Sequence, residues 1–365
     1  MRVGLVSVAI LERTKEDAET LSRYLLEYYE DRLALTLLAD VEGARTWLGE
    51  SRPGVLLVTS ELVGEVGGPR GAKAVLALTD AQQTMVGTTP AVCRYQTVDE
   101  IYASIMRLMA EVADSELGVR AADHQGRIVA FTSVQGGVGT TSVALAFARR
   151  LARTHNPAKV FYLDMSAFEV VDLCLSGLGA ADLTDVVLAV KSHNANLGLT
   201  LMASARQDPD SNLWYLAGGR TPLDVLELTD VEQREIFQAL ATRTDYAYVV
   251  LDLPFAVYGA NAEALASADV VVCVTDGRAF SNSKVQRAHE ALRVLAENGA
   301  ESAWGFTYLL YNRFSSKTSR SLQLPDLPEI QCAGRFEGLG DADVLLELEQ
   351  RAAFGPLLGQ VSGSV

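Results

Sequence analysis

The residues best suited to phosphate chemistry lie together at Phe131–Ser142, FTSVQGGVGTTS. They follow the apolar, β-branched GRIVA and lead into VALAFARRLA, whose apolar spacing reads as helix. Strand, glycine-rich turn and helix in that order can make an anion site: backbone amides form a concavity, and the helix brings its positive end. Gly136, Gly137 and Gly139 supply the backbone freedom, Val138 lies among them, and Thr141 stands where a phosphate loop places its magnesium-binding hydroxyl, followed by Ser142. The full pattern G-x-x-x-x-G-K-[ST] is not met, because Val134 occupies the first glycine position and Thr140 the lysine position. A missing lysine removes one charge-assisted contact, worth about 1.5–3 kcal/mol. That weakens binding by roughly one or two decades. Turnover suffers more, since that charge also stabilises the transition state. Arg149 and Arg150 lie about ten residues along the helix, roughly 13–15 Å away, and cannot easily substitute. The same residues would also serve as a plain tight turn without a ligand.

Elements that could position this loop run through the second half of the chain. Strand-like runs are RIVAFTSV, KVFYLDM, GLTLMAS, NLWYLAGG, YAYVVLDL, DVVVCVTD, WGFTYLLYNR and IQCAGRF, with helical stretches between most of them. The first half alternates in the same way: RVGLVSVAI, the amphipathic KEDAETLSRYLLEYYE, RLALTLLAD, VEGARTWLGE, GVLLVTS, AVLALTD, PAVCRY and a final helix, VDEIYASIMRLMAEVADS. Alternation of this kind implies parallel sheets covered on both faces. A polar junction without periodicity, ADSELGVRAADHQGR, separates the halves. The expected fold is therefore α/β with two doubly wound domains, at 1–118 and 127–365, joined by a linker at 119–126.

The loop is similar to the deviant phosphate loop of the MinD/ParA ATPases, K-G-G-x-G-K-T. Gln135 stands at that group's second lysine, which crosses a dimer interface, so both lysines are absent. The resemblance extends to KVFYLDMS, where Asp164 matches the first of two acids and Ser166 replaces the second, the one that positions the attacking water. It extends to YAYVVLDLP, where Asp252 before Pro254 looks like the Walker B aspartate that holds magnesium through water; a turn-forming aspartate is the plainer alternative. It also extends to YLLYNRF, placing Asn312 and Arg313 where the group reads the adenine ring, although an asparagine at a strand end is also a common turn residue. What the resemblance implies is ATP as ligand, magnesium near Thr141, Asp164 and Asp252, and a nucleotide contacted by Gln135 to Ser142 with Asn312 and Arg313. Asp164 and Asp252 are the only catalytic candidates it offers.

The first half resembles a bacterial response-regulator receiver in element order, on a flavodoxin-like plan, but not in chemistry. SVAILER lacks the acidic pair, Thr59 and Ser60 stand at the phosphoacceptor, and Arg94 is the nearest basic residue to the lysine position. A pseudo-receiver built to bind a partner or itself is the expectation, beside a plain flavodoxin-like domain. Receiver-like and MinD/ParA-like parts in one chain, with GGVGTTS in the loop, resemble the TadZ/CpaE group, which helps place Flp-type (Tad) pilus machinery at the cell pole. The resemblance implies a cytoplasmic homodimer that binds ATP and magnesium, hydrolyses slowly or not at all, and serves pilus or secretion assembly proteins as a localisation scaffold. The alternatives are an active positioning ATPase of the MinD/ParA kind and a structural pseudo-ATPase that binds no nucleotide.

Composition bounds the rest. The chain has 365 residues, is 49% hydrophobic and carries a net charge of −15. That charge disfavours nucleic acid and anionic membrane surfaces, which need a positive face. No apolar run approaches the roughly 20 residues of a membrane span, so direct membrane insertion is not expected. The C-terminal DVLLELEQRAAFGPLLGQVSGSV has one basic residue and no basic face, unlike a membrane-targeting helix. Cys93, Cys174, Cys273 and Cys332, like His124, His155, His193 and His289, are scattered; buried thiols are expected rather than a zinc site.

Overall fold

A computed structural model describes residues 6–30, 32–50, 54–68, 73–98, 100–102, 104–106, 108–109, 126–155, 158–166, 171–179, 181–192, 197–242, 244–299, 304–324, 327, 329–334 and 341–362. The expected linker 119–126, apart from Gly126, lies outside the described residues, as do His124 and His193. Two compact units divide the chain: residues 1–123 with 179–204, and residues 124–178 with 205–365.

The first unit runs β1 (Val6–Leu11), α1 (Lys15–Tyr29), β2 (Leu33–Leu37), α2 (Val41–Leu48), β3 (Gly54–Thr59), α3 (Val63–Val66), β4 (Lys73–Thr79), β5 (Met85–Val86), β6 (Thr89–Cys93) and a helix α4 over 98–109. Its strand order is β2-β1-β3-β4-β6-β5. All pairs are parallel except the short β5–β6 hairpin. Alternation along β1 explains the layers. Val8 and Ile10 pack with Ala18 and Leu25 of α1 and Ile105 of α4. Ala9 and Leu11 pack on the other face with Ala44, Trp47 and Leu48 of α2. A sheet buried on both sides reads as continuous apolar runs, as these strands do. Thr14 and Asp40 start α1 and α2 by accepting from Asp17 N and Gly43 N.

The second unit begins with β7 (Arg127–Thr132), α5 (Thr140–Thr154) and β8 (Val160–Asp164). Two helices, α6 (Leu183–Lys191) and α7 (Leu197–Ser204), then belong to the first unit. The second unit resumes with β9 (Ala205–Gln207), β10 (Trp214–Leu216), α8 (Leu223–Leu226), α9 (Asp230–Thr242), β11 (Tyr248–Asp252), α10 (Gly259–Ser267), β12 (Val270–Thr275), α11 (Ala279–Glu297), β13 (Tyr308–Phe314), β14 (Glu329–Ala333), α12 (Asp341–Glu349) and α13 (Phe354–Ser362). Its eight strands lie in the order β14-β13-β12-β7-β11-β8-β10-β9, with β9 antiparallel at the edge. Val129, Phe131, Tyr162 and Val250 face α5, α12 and α13 in one cluster. Ala130, Phe161, Leu163 and Leu251, which point the other way, are buried too.

Phe147 of α5 lies 5.4 Å from Phe131 and 5.5 Å from Phe354, ring centre to ring centre, which ties the helix to the sheet and to the C-terminal segment. Arg150 Nη1 donates to Glu349 O at 2.9 Å, and Arg149 Nε lies 3.2 Å from Glu349 Oε1. Both arginines are thus committed to the C-terminal segment, away from the loop.

Residues 198–204, GLTLMAS, expected as a strand, form α7 instead. A short apolar run does not distinguish strand from buried helix by periodicity, and Leu and Met favour helix once packing is available. Leu199 joins the core that holds Val8 and Ile10, with Met202 and Ala203 against it. Arg32 Nη1 donates to Met202 O at 2.8 Å and to the Tyr102 hydroxyl at 3.2 Å.

Candidate nucleotide-phosphate site

Loop geometry follows from the glycines. Ser133 Oγ donates to Gln135 O at 3.0 Å and accepts from Gln135 N at 3.2 Å, opening the turn after β7. Gly137 and Gly139 then have φ of 78° and 83°, where a side chain is disfavoured. Gly139 caps α5 with no side-chain hydrogen bond, so the first amides of α5 remain available to an anion.

The end of β13 braces this loop. Asn312, 5% exposed, donates from Nδ2 to Val138 O at 2.8 Å. Arg313, itself at φ 56°, donates from Nη1 to Gly137 O at 2.6 Å. A Cβ on Gly139 would stand 2.5 Å from Asn312 Nδ2. The two residues expected to read adenine are therefore brought to the loop, and each has one donor on a loop carbonyl. The Arg313 contact with Gly137 is not legible in the sequence, because it joins residues 176 positions apart.

A cavity of about 700 Å3 opens over the loop, walled by Gln135, Gly136, Thr140, Thr141, Ser166 and Asp252, among others. Arg313 is the one cation lining it among the described residues. The position lies at the carboxyl ends of parallel strands around the central β7, where doubly wound sheets bind ligands. Gln135 Nε2 lies 3.4 Å from Thr275 Oγ1, and no hydrogen-bond partner meets Gln135 Oε1 among the described residues.

Asp164 and Asp252 end β8 and β11 directly opposite each other in register. Each is 6% exposed. Asp164 Oδ1 accepts from Ser166 N at 2.7 Å. Asp252 Oδ2 has no hydrogen-bond partner among the described residues. Burial raises both carboxyls above the usual range, and the neighbouring Asp164 charge pushes Asp252 further, to about 7. The Thr141 and Tyr162 hydroxyls offset part of the Asp252 shift. The Tyr162 hydroxyl is itself pushed well up, chiefly by burial and then by the two acids; sequence reading did not single it out.

Two buried acids, one with an oxygen that has no hydrogen-bond partner among the described residues, leave negative charge that a divalent cation would offset. Magnesium takes one or two protein oxygens and completes its shell with water and phosphate oxygens. Asp252 and the Thr141 hydroxyl suit that sparse set, with Asp164 adding charge behind Ser166. No cluster of three or more His, Cys, Asp or Glu able to hold a metal occurs among the described residues. A magnesium ion that arrives with phosphates does not need one.

The first unit has its own strand-end cluster. Arg94 Nη1 donates to Glu12 Oε2 at 3.0 Å, Nη2 donates to Thr59 Oγ1 at 3.1 Å, and Nε lies 2.8 Å from Asp80 Oδ1. Arg13 pairs with Glu61 and Asp80 beside it. Thr59, expected at a phosphoacceptor position, is fully buried and held by this guanidinium. Glu12 and Asp80 as partners of Arg94 were not anticipated; three charged residues just past three strand ends were the available signal.

No helix among the described residues is long and apolar enough to cross a membrane. No family model matches the chain, and no curated protein matches it. Solved structures do show similarity. A ParA family ATPase from Chlorobium tepidum TLS shares 19% identity over 66% of this chain and 94% of its own, with a TM-score of 0.47. McdA from Cyanothece in an ATP complex shares 15% over 66% and 97%, with a TM-score of 0.46. The septum site-determining protein MinD from Pyrococcus horikoshii OT3, complexed with Mg-ADP, shares 16% over 61% and 94%, with a TM-score of 0.43. Likeness at these identities concerns the arrangement of strands and helices alone.

Proposed function

We propose that the chain binds ATP with magnesium over residues 133–142 and acts as a homodimeric, cytoplasmic localisation scaffold with weak or absent hydrolysis. One observation carries the nucleotide reading: a two-glycine turn at positive φ delivers uncapped α5 amides to a cavity lined by Asp252, whose buried Oδ2 has no hydrogen-bond partner among the described residues. The loop amides of Gly136 to Thr141 hold phosphate oxygens. Magnesium, when bound, neutralises phosphate charge against Asp252 and Asp164, with Thr141 as a neutral oxygen ligand. Asn312 and Arg313 fix the loop's carbonyls so that its amides stay turned toward the ligand. Position 140 offers a hydroxyl in place of an ammonium, and Ser166 offers a hydroxyl in place of the acid that would position water. Binding therefore survives better than turnover.

A thermal-shift titration of the full chain with ATP and magnesium tests the reading. A ligand held at a hundred times its Kd adds about 2.7 kcal/mol to stability. No shift with any adenine nucleotide at millimolar magnesium would favour the nucleotide-free structural protein. Turnover measured on the same sample separates scaffold from positioning ATPase: steady hydrolysis that a partner accelerates would favour the latter.

The pathway reading is Flp-type (Tad) pilus or related secretion assembly at the cell pole. It rests on the resemblance of GGVGTTS and of the two-part architecture to the TadZ/CpaE group. The Arg94 cluster supports the receiver-like half as a recruiting module without phosphotransfer, since Thr59 and Glu12 are already engaged. Co-purification of the full chain with pilus assembly proteins, and loss of polar foci on its deletion, are the expected results.

A further inference from the structure

We infer that this site grips its ligand by the diphosphate moiety and does not read the terminal phosphate, so that a nucleoside diphosphate and the triphosphate occupy it about equally well. The inference rests on the nucleotide reading and narrows it. The two positions from which a phosphate loop of this type extends cations to the outer phosphates hold Gln135 and Thr140, both neutral. Gln135 turns its amide toward Thr275, with Nε2 at 3.4 Å from the hydroxyl. The one cation lining the cavity among the described residues, Arg313, spends Nη1 on Gly137 O. Asp252, 6% exposed, lines the same cavity, with the equally buried Asp164 beside it in register, and among the described residues Asp252 Oδ2 has no hydrogen-bond partner.

Charge sets how much each phosphate contributes. Every added phosphate brings negative charge toward Asp164 and Asp252. Amides at Gly137–Thr141 and the α5 end can offset that charge for the inner phosphates, which sit against them. For the outermost phosphate the described residues lining the cavity offer no side-chain cation besides Arg313, whose Nη1 is held by Gly137 O, and the magnesium that accompanies either nucleotide is common to both. The triphosphate thus gains little over the diphosphate. A site of this kind keeps its nucleotide through hydrolysis or exchange as a structural ligand, and its occupied form does not report which nucleotide is present.

Calorimetric titration of the full chain with magnesium and, in turn, a non-hydrolysable ATP analogue, ADP and AMP tests this. The expected dissociation constants for the triphosphate and ADP differ by less than about tenfold, whereas AMP binds about tenfold or more weakly than ADP, having lost a charge-assisted contact. A triphosphate preference of about tenfold or more overturns the inference and leaves the nucleotide reading standing, since one retained lysine-like contact gives that ratio. AMP binding as well as ADP overturns the diphosphate grip. Failure of both ATP analogue and ADP to bind at millimolar concentration overturns the nucleotide reading itself. Thr140→Lys, checked as folded by its melting temperature, should shift the ratio toward the triphosphate by about ten- to hundredfold; an unchanged ratio shows that position 140 does not face the outer phosphate.

Discussion

Asp252 concentrates the energetics of the site in one side chain. Its folded carboxyl is raised to about 7, so between the usual carboxylate range and that pH the folded chain binds more protons than the unfolded chain. Stability without ligand therefore falls as pH rises through that window, and the full cost is present above it. Asp252→Asn removes the charge while keeping the shape. At pH 8 the ligand-free variant should gain roughly 2–4 kcal/mol, and it should lose the magnesium-dependent response to ATP. Calorimetric melts at pH 6 and pH 8, with and without Mg-ATP, check both halves; a variant less stable than the parent at pH 8 would contradict an unmet charge. Arg94 behaves oppositely, since it satisfies a charge. Glu12 has a side chain only 2% exposed and relies on that guanidinium. Arg94→Ala should cost about 3–5 kcal/mol in a urea titration. Arg94→Lys should recover only part, because an ammonium cannot fork to Glu12, Thr59 and Asp80 together.

Elements set the loop's shape through two contacts that the chain brings from far away. Gly139 has both a positive φ and Asn312 Nδ2 in the space a Cβ would fill. Gly139→Ala should therefore destabilise by about 1–3 kcal/mol and abolish any nucleotide-induced thermal shift. If the shift persists at parental size, the loop does not need this conformation to bind. The helix behind the loop depends on α13: Phe354 is fully buried against Phe147. Phe354→Ala should cost about 3–5 kcal/mol, measured by denaturant melts, and it should lower nucleotide affinity by loosening α5. The residues 198–204 show where element reading from sequence stops. Their type was settled by the core that includes Val8 and Leu25, residues more than 150 positions away.

For the whole molecule, the position of α6 and α7 matters most. Cutting the chain after residue 118 leaves the first unit without Leu199, Met202 and Ala203, which cover its core, and leaves Arg32 without Met202 O. Residues 1–118 expressed alone should melt lower than a form to which 179–204 is joined, and should expose apolar surface that binds a reporter dye. Equal melting of the two would show that α7 adds nothing to that core. Net charge acts at this scale too: at −15 the chain should show no retention on DNA or on anionic vesicles at physiological salt.

The amino-acid sequence by itself determined what depends on neighbours along the chain. Apolar runs that alternate with amphipathic stretches dictate parallel sheets with covered faces, since no other arrangement buries them. Three glycines before three hydroxyl residues dictate a turn that feeds a helix end, and the missing lysines leave the backbone amides of the loop as its own anion donors. Tertiary structure decided everything that needs distant residues to meet. It placed Asp164 opposite Asp252, set Arg313 on Gly137, closed Arg94 on Glu12 and Thr59 and assigned α7 to the first unit. Such meetings follow from burial and charge satisfaction across the fold. No local spacing encodes them, because the free energy that selects them exists only once the sheets have assembled.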